Sequence, residues 1–200
     1  MKNPRALFAK IGDYASKTIL IIIPLALAWP VQASPFRLKR YFKNSPDGRY
    51  VFIMNPRRRY ACSGPFTGIG RLYETRRGGA KNALWKTSGW YARKDRIFLD
   101  KSGMYLVRIG WGGYFRLSRK HDGLLFYKRG RLIKRYSTKD LIRDPSKIRF
   151  RSFLPKGCVY GYKFIKKARL RARRFHVMTM DGRSYVFDIR TGKILSSRRN

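Results

Sequence analysis

The chain has 200 residues, 44% of them hydrophobic and 15% aromatic, which suits one folded domain and excludes an intrinsically disordered chain. Its 48 lysines and arginines stand against only 10 acidic residues, so the formal net charge is +38 at pH 7. A charge of this size causes self-repulsion in the compact state and a strong, weakly specific attraction to polyanions.

The N-terminus carries a pattern typical of a secretory signal peptide. The basic residues that come first are Lys2, Arg5, Lys10 and Lys17. An apolar run from Thr18 to Trp29 follows, within the length of a signal core and short for a membrane-spanning helix. Because Val31 and Ala33 have the small or branched side chains of a cleavage site, we expect cleavage after Ala33 and a secreted or periplasmic protein. An uncleaved N-terminal membrane anchor is the alternative.

Removal of residues 1–33 leaves 44 basic and 9 acidic residues, a formal charge of +35 on a single cationic, β-rich domain over 34–200. The expected partners are anionic polymers, membrane surfaces or acidic proteins, with nucleic acid only as an unspecific polyanion. Adaptation to an acidic or ion-rich habitat is an alternative that needs no partner.

The two cysteines, Cys62 and Cys158, predict a disulfide in an oxidising compartment. The loop between them is long, and the chain-entropy model assigns such a bridge about 4 to 5 kcal/mol. Two free thiols are the alternative.

Short runs rich in aromatic and β-branched residues predict strands along the rest of the chain. The predicted strands are 50–54, 96–99, 104–109, 114–117, 124–128, 131–136, 159–164, 175–180 and 185–189. The glycine turns that punctuate them are 47–48, 102–103, 122–123, 129–130, 181–182 and 191–192. One short connecting helix is expected from Ser137 to Asp144, with an approximate capping box at Ser137 and Asp140 and with Pro145 as its end.

A weak internal repeat occurs at 45–52, 100–107 and 181–187, where an acidic residue and a glycine precede an aromatic strand. The last copy continues over 188–193 as a turn and a further strand. This arrangement resembles the blades of β-propellers of the quinoprotein-like and WD-repeat-like kinds. Three blades are too few for an ordinary closed propeller, so the resemblance implies an all-β antiparallel meander, an incomplete propeller-like stack or a β-sandwich. It gives no basis for a quinone or any other cofactor.

Catalytic and metal-binding motifs are poorly represented. The acidic residues fall mainly at turns and in the short helix, which leaves Glu74 and Asp95 for a glycosidase or cation site that needs several carboxylates. His121 and His176 lack the spacing of a zinc motif. We expect no metal and no enzyme; a thiol-dependent hydrolase that pairs a cysteine with a histidine is the remaining catalytic alternative.

Clusters of basic residues are the candidate anion-binding sites. They are Arg57, Arg58 and Arg59, then Arg76 and Arg77, and then Lys166, Lys167, Arg169, Arg171, Arg173 and Arg174. In the last run Ala168, Leu170 and Ala172 alternate with arginines, so a strand there has one cationic and one apolar face. Guanidinium groups bind phosphate, sulfate or carboxylate through paired hydrogen bonds. A solvated edge strand whose charges prevent aggregation is the alternative.

These observations together predict an exported, non-catalytic cationic protein of the cell envelope or exterior that binds anionic polymers or surfaces. The alternative is a structural or interaction module of an envelope assembly, completed by a partner's strands or by self-association.

Overall fold

The computed structural model describes residues 36–57, 60–61, 67–75, 82–110, 121–152 and 160–199, which belong to one unit, Ala33–Asn200. Sheet 1 contains β2 (Tyr41–Asn44), β3 (Tyr50–Pro56), β5 (Gly68–Glu74) and β6 (Trp85–Ser88). Sheet 2 contains β7 (Ile97–Leu99), β8 (Tyr105–Ile109), β9 (Asp122–Lys128) and β10 (Arg131–Ser137). Sheet 3 contains β13 (Ile165–Arg171), β14 (Arg174–Thr179), β15 (Arg183–Asp188) and β16 (Ile194–Arg199).

The remaining elements lie outside the three large sheets. The short strands β1 (Phe36–Arg37) and β4 (Tyr60–Ala61) pair with each other, as do β11 (Arg149–Ser152) and β12 (Tyr160–Lys163). The helix α1 (Thr138–Leu141) follows sheet 2, and single 3-10 turns cover Lys94–Arg96 and Pro145–Lys147. Among the residues that the structure describes, none of the helices has the length and hydrophobicity of a membrane span.

Each large sheet is an antiparallel meander, because its strands lie side by side in their order along the chain. The predicted all-β, antiparallel, repeat-like fold with one short connecting helix is therefore confirmed.

Sheet 2 packs between the other two sheets, and its strands β8 and β9 are buried on both faces, whereas most of β10 is exposed. Leu106, Leu125 and Tyr127 belong to the core shared with sheet 1, whereas Val107 and Phe126 belong to the core shared with sheet 3. The Trp90 ring bridges the first interface, since its centroid lies 6.2 Å from that of Phe52 in sheet 1 and 5.5 Å from that of Tyr127 in sheet 2.

Phenylalanine rings fill the second interface. The Phe126 centroid lies 5.3 Å from that of Phe187, and the Phe98 centroid lies 4.9 Å from that of Phe175. As a result, sheets 1 and 3 each have one face in a core and one face directed away from the stack.

The capping box is confirmed, but the helix is shorter than predicted. The Ser137 hydroxyl accepts from the Asp140 backbone N–H, and the Asp140 carboxylate accepts from the Ser137 N–H. The helix ends at Leu141, and Pro145 begins the following 3-10 turn instead of ending the helix. Proline suits that place, because a first helical turn does not need its missing N–H.

The prediction of a turn at Asp122–Gly123 is wrong, since both residues lie in β9. A Cβ atom on Gly123 would lie 2.8 Å from the backbone oxygen of Ser137 in the paired strand β10. This glycine therefore permits close strand approach. By contrast, Gly48, Gly103, Gly130, Gly182 and Gly192 have positive φ values and lie in turns, as predicted.

The sequence repeat does not mark one recurring position in the sheets. Its first two copies join the first and second strands of sheets 1 and 2, whereas the third joins the second and third strands of sheet 3. What the copies share is local turn chemistry: Ser45 Oγ accepts from Tyr50 N–H, Asp100 Oδ1 from Tyr105 N–H, and Thr179 Oγ1 from Arg183 N–H.

Candidate anion-binding site

The predicted basic run begins as the edge strand β13, and its residues alternate as expected. Ala168 and Leu170 pack against the core between sheets 2 and 3, whereas Lys167, Arg169 and Arg171 are exposed. Alternate residues of a strand share a face and lie about 7 Å apart, so β13 presents a line of evenly spaced cations. The two predicted faces, one apolar and one cationic, therefore exist over Lys167–Arg171.

The strand does not continue to Arg174 as one unit. Ala172 and Arg173 form a tight turn, and Arg174 begins β14. Arg171 and Arg174 are directly paired across this hairpin. The turn therefore folds Arg174 back onto the same face as Arg169 and Arg171.

Strand pairing extends this surface across sheet 3. Lys167 is paired with Met178, Met178 with Ser184, and Ser184 with Arg198. In the next row Arg169 is paired with His176, and His176 with Val186. We call this surface the cationic face; its basic residues are Lys167, Arg169, Arg171, Arg174 and Arg198.

A groove of about 530 Å³ lies in the cationic face. Lys167, Arg169 and His176 contribute to its lining together with Met178 and Val186. Charged groups beside an apolar floor suit a ligand that carries both anionic and hydrocarbon parts.

The hairpin at the end of the face is locally unfavourable. Arg171 and Arg174 place like charges opposite each other, which destabilises a strand pair, although Asp188, paired with Arg174 on its other side, offsets part of this repulsion. Ala172 has a φ of 47°, in the left-handed region that costs a residue with a Cβ roughly 1 kcal/mol. Unfavourable features that persist in a native structure are concentrated at functional sites, and an anion bound here would relieve the repulsion.

The positive charges of this surface affect the pKa of His176. Partial burial lowers the pKa of its imidazole, and the nearby charges of Arg169, Arg171 and Arg174 lower it further. Among the neighbours directly paired with it, Arg169 is charged and Val186 is apolar.

The other predicted site residues do not join the cationic face. Lys166 lies at the irregularity in register between Ile165 and Lys167, and Arg173 lies in the hairpin turn. Arg57 is exposed just after β3. Outside the described residues lie Arg58, Arg59, Arg76, Arg77 and both predicted disulfide partners, Cys62 and Cys158.

Sequence reasoning missed Arg198, because the stretch around Ser196 and Ser197 lacks a strong strand pattern.

Several of the acidic residues found at turns accept hydrogen bonds that hold the backbone in place. Hydrogen bonds from the side chains of Ser45 and Arg49 lower the pKa of Asp47 to about 2. Asp181 accepts from the backbone N–H groups of Arg143 and Asp144, and Asp188 accepts from Arg190 N–H. The carboxylates of Asp47, Asp181 and Asp188 are therefore engaged in hydrogen bonds that stabilise the fold.

The chain matches no family model in a scan of protein families and no protein in a search of curated proteins.

Proposed function

We propose that this chain is an exported, non-catalytic cationic protein of the cell envelope or exterior, and that its cationic face binds anionic polymers or surfaces. The observation that supports this proposal is the collection of Lys167, Arg169, Arg171, Arg174 and Arg198 on one face of sheet 3. A linear polyanion along β13 meets a positive charge about every 7 Å. Release of its counterions drives binding.

Heparin affinity tests the cationic face. The triple variant Arg169→Gln/Arg171→Gln/Arg174→Gln removes exposed charges only, so we expect it to fold as the unmodified chain does. We expect weaker binding and a slope of log affinity against log salt that is smaller by about 2 to 3, one unit for each lost contact. Vesicles containing anionic lipid are the second probe, since they present the same charge on a surface.

The matched control is Arg131→Gln/Lys139→Gln/Lys147→Gln, which removes the same charge from exposed positions outside sheet 3. We expect it to keep most of the affinity and the slope. If both triple variants weaken heparin binding equally, net charge accounts for the attraction and the cationic face does not bind the polymer.

Export is tested by the intact mass and location of the protein. The pattern over 18–33 predicts a secreted or periplasmic chain that begins at Ser34. A full-length chain that retains Met1 and remains in the cytoplasm would overturn this part of the proposal.

A structural or interaction module is a second candidate, favoured by the open edge of sheet 3. Strand β16 is the last strand of that sheet and is exposed along its whole length, and Leu195 is 55% exposed. Together with the three stacked meanders, this edge fits an incomplete propeller-like stack extended by another chain's strand. Concentration-dependent hydrogen-exchange protection of 194–199 supports it, and a monomer with unchanged protection argues against it.

A further inference from the structure

Most of the large hydrophobic side chains exposed in the described part of the chain lie in two edge strands. Leu132 and Ile133 belong to β10, the last strand of sheet 2, and Ile194 and Leu195 belong to β16, the last strand of sheet 3. Their exposed fractions range from 37% to 55%. Single exposed hydrophobic residues are ordinary, whereas a group of them indicates a contact surface.

The two edge strands lie beside each other. The Tyr136 hydroxyl in β10 donates a hydrogen bond of 2.8 Å to the carbonyl of Gly192, two residues before Ile194. A Cβ atom on Gly192 would collide with the Cβ of Lys134, so the backbone that leads into β16 passes directly against β10. The two aliphatic pairs therefore cluster around one contact between sheets 2 and 3. We call these four residues the aliphatic edge.

Each aliphatic pair coincides with a β-bulge. The register of β10 with β9 shifts at Ile133, and the register of β16 with β15 shifts at Leu195. Bulges redirect side chains and hinder the addition of another strand to an open edge. The same irregularity in both strands therefore favours a partner that contacts the side chains over one that pairs with the backbone.

Basic residues flank the aliphatic edge. Lys128, Arg129 and Arg131 lie in the hairpin that leads into β10, Lys193 directly precedes β16, and all four are exposed. Neither β10 nor β16 contains an acidic residue. The carboxylate of Asp122, opposite the far end of β10, is already engaged by two arginines. The partner of the aliphatic edge therefore meets apolar side chains bordered by positive charge.

An anionic lipid surface fits this combination best. A second copy of the chain would add its own excess of positive charge, and a linear polyanion would supply charge without an apolar region. A bilayer supplies both, because lysine and arginine reach the headgroups while aliphatic side chains enter the acyl boundary. The contact is shallow, since open strand edges carry backbone N–H and C=O groups that hydrocarbon cannot satisfy.

We propose that the aliphatic edge inserts into the interface of an anionic lipid bilayer, with the flanking lysines and arginines against the headgroup phosphates. This contact goes beyond the proposed binding of polyanions by the cationic face. It uses different residues and does not depend on that face.

Co-sedimentation with vesicles tests the contact, using phosphatidylcholine with about 30% phosphatidylglycerol as the anionic surface. The variant Leu132→Gln/Leu195→Gln replaces two side chains that are 50% and 55% exposed, so we expect it to fold. It should bind these vesicles roughly tenfold more weakly, because the apolar surface that enters the acyl boundary is lost. The single variant Leu195→Gln should bind roughly threefold more weakly. Near-ultraviolet circular dichroism verifies the aromatic packing of each variant.

The control is Phe42→Gln, which removes an exposed ring from β2, the first strand of sheet 1. It should stay within about twofold of the unmodified chain, because an isolated hydrophobic residue outside the aliphatic edge does not contact lipid. Equal weakening by Phe42→Gln and by folded Leu195→Gln would overturn the proposal, as would unchanged vesicle binding by folded Leu132→Gln/Leu195→Gln.

Two further measurements test the identity of the partner. Vesicles of phosphatidylcholine alone should bind about tenfold more weakly, because they lack the charge that attracts the basic residues. Equal binding to both kinds of vesicle would overturn the anionic assignment. Concentration-dependent hydrogen-exchange protection of 194–199 that Leu195→Gln abolishes, with vesicle binding unchanged, would assign this edge to a second copy instead.

The two proposals fail separately. The variant Leu132→Gln/Leu195→Gln removes no charge and should keep its heparin affinity, so loss of that affinity would contradict independent surfaces. The triple variant Arg169→Gln/Arg171→Gln/Arg174→Gln should lose heparin affinity, and its vesicle binding should fall further when the two leucine substitutions are added. Heparin binding thus reports on the cationic face, and the effect of the leucines on vesicles reports on the aliphatic edge.

Discussion

Ala172 occupies the left-handed region at the tip of the β13–β14 hairpin, with a φ of 47°. The comparable turns at Gly48, Gly103 and Gly182 use glycine at positive φ. Glycine adopts this conformation without the clash that a Cβ atom causes.

We predict that Ala172→Gly stabilises the protein. Relief of the Cβ clash outweighs the entropy that glycine adds to the unfolded chain, and the expected gain is about 0.5 to 1 kcal/mol in the free energy of unfolding. Urea unfolding measures it. Ala168→Gly, inside β13, is the control and should destabilise; stabilisation by both variants would show that turn strain is not the cause.

His176 gives the protein a pH dependence whose sign follows from its lowered pKa. The folded chain holds this imidazole neutral at pH values where the unfolded chain already protonates it, because burial and the arginines disfavour the cation. The unfolded state therefore binds more protons just below the ordinary pKa of about 6.5, and the stability falls as the pH decreases through that window.

An anion on the cationic face should reverse this effect. Heparin bound beside Arg169, Arg171 and Arg174 offsets their charge, so we predict that the pKa of His176 rises in the complex. NMR titration of the imidazole Hε1 signals, assigned with His176→Gln, measures this shift. The only other imidazole, His121, provides an internal comparison. An unchanged pKa for His176 in the saturated complex would place the polymer elsewhere.

At the scale of elements, an ion network holds strands β8, β9 and β10 together in sheet 2. The Asp122 carboxylate forms two ion pairs. Its Oδ2 lies 2.5 Å from Arg108 Nη2, and its Oδ1 lies 2.8 Å from Arg135 Nε. The Arg108 side chain is only 6% exposed, and its guanidinium carbon lies 4.9 Å from the Trp90 ring centroid. Asp122 therefore neutralises a cation that the contact between sheets 1 and 2 has removed from water.

We predict that Asp122→Asn lowers the free energy of unfolding by about 2 to 4 kcal/mol, because it leaves the charge of Arg108 buried without its partner. Guanidinium-induced unfolding measures the loss. Asp144→Asn, which affects only the cap of a 3-10 turn, should cost about 1 kcal/mol or less. Adding Arg108→Met to Asp122→Asn should recover stability; a further loss would show that burial of this cation is not the problem.

At the scale of the whole molecule, the formal charge of +35 on residues 34–200 places strong repulsion on a stack of three sheets. The aromatic cores on both sides of sheet 2 oppose that repulsion, because burial of large rings is the strongest favourable contribution available to a chain of this composition.

We predict that salt stabilises the protein. Raising sodium chloride from about 20 mM to about 300 mM shortens the screening length from about 20 Å to about 6 Å, which weakens repulsion between the sheets. The melting temperature should therefore rise, as calorimetry would measure. Sodium sulfate at the same ionic strength separates screening from anion binding, and a melting temperature that falls with added salt would contradict dominant self-repulsion.

Local chemistry determined much of this fold. Glycine turns, the Ser137–Asp140 capping box and the alternation of Ala168 and Leu170 with arginines depend on residues close together in the chain, so they could be predicted directly. Strand β5 was missed because Gly70 resembles a loop residue; a Cβ atom there would lie 2.2 Å from the Phe52 ring, a contact that exists only after sheet 1 forms.

The sequence by itself determined an antiparallel, repeat-like β protein with a cationic strand. Only the tertiary structure decided that sheet 2 is the middle layer, that Arg198 lies on the same face as Lys167, and that Lys134 meets Gly192. The physical reason is range: backbone conformation and turn preference act over a few residues, whereas strand pairing and sheet packing bring together side chains that are distant in the chain.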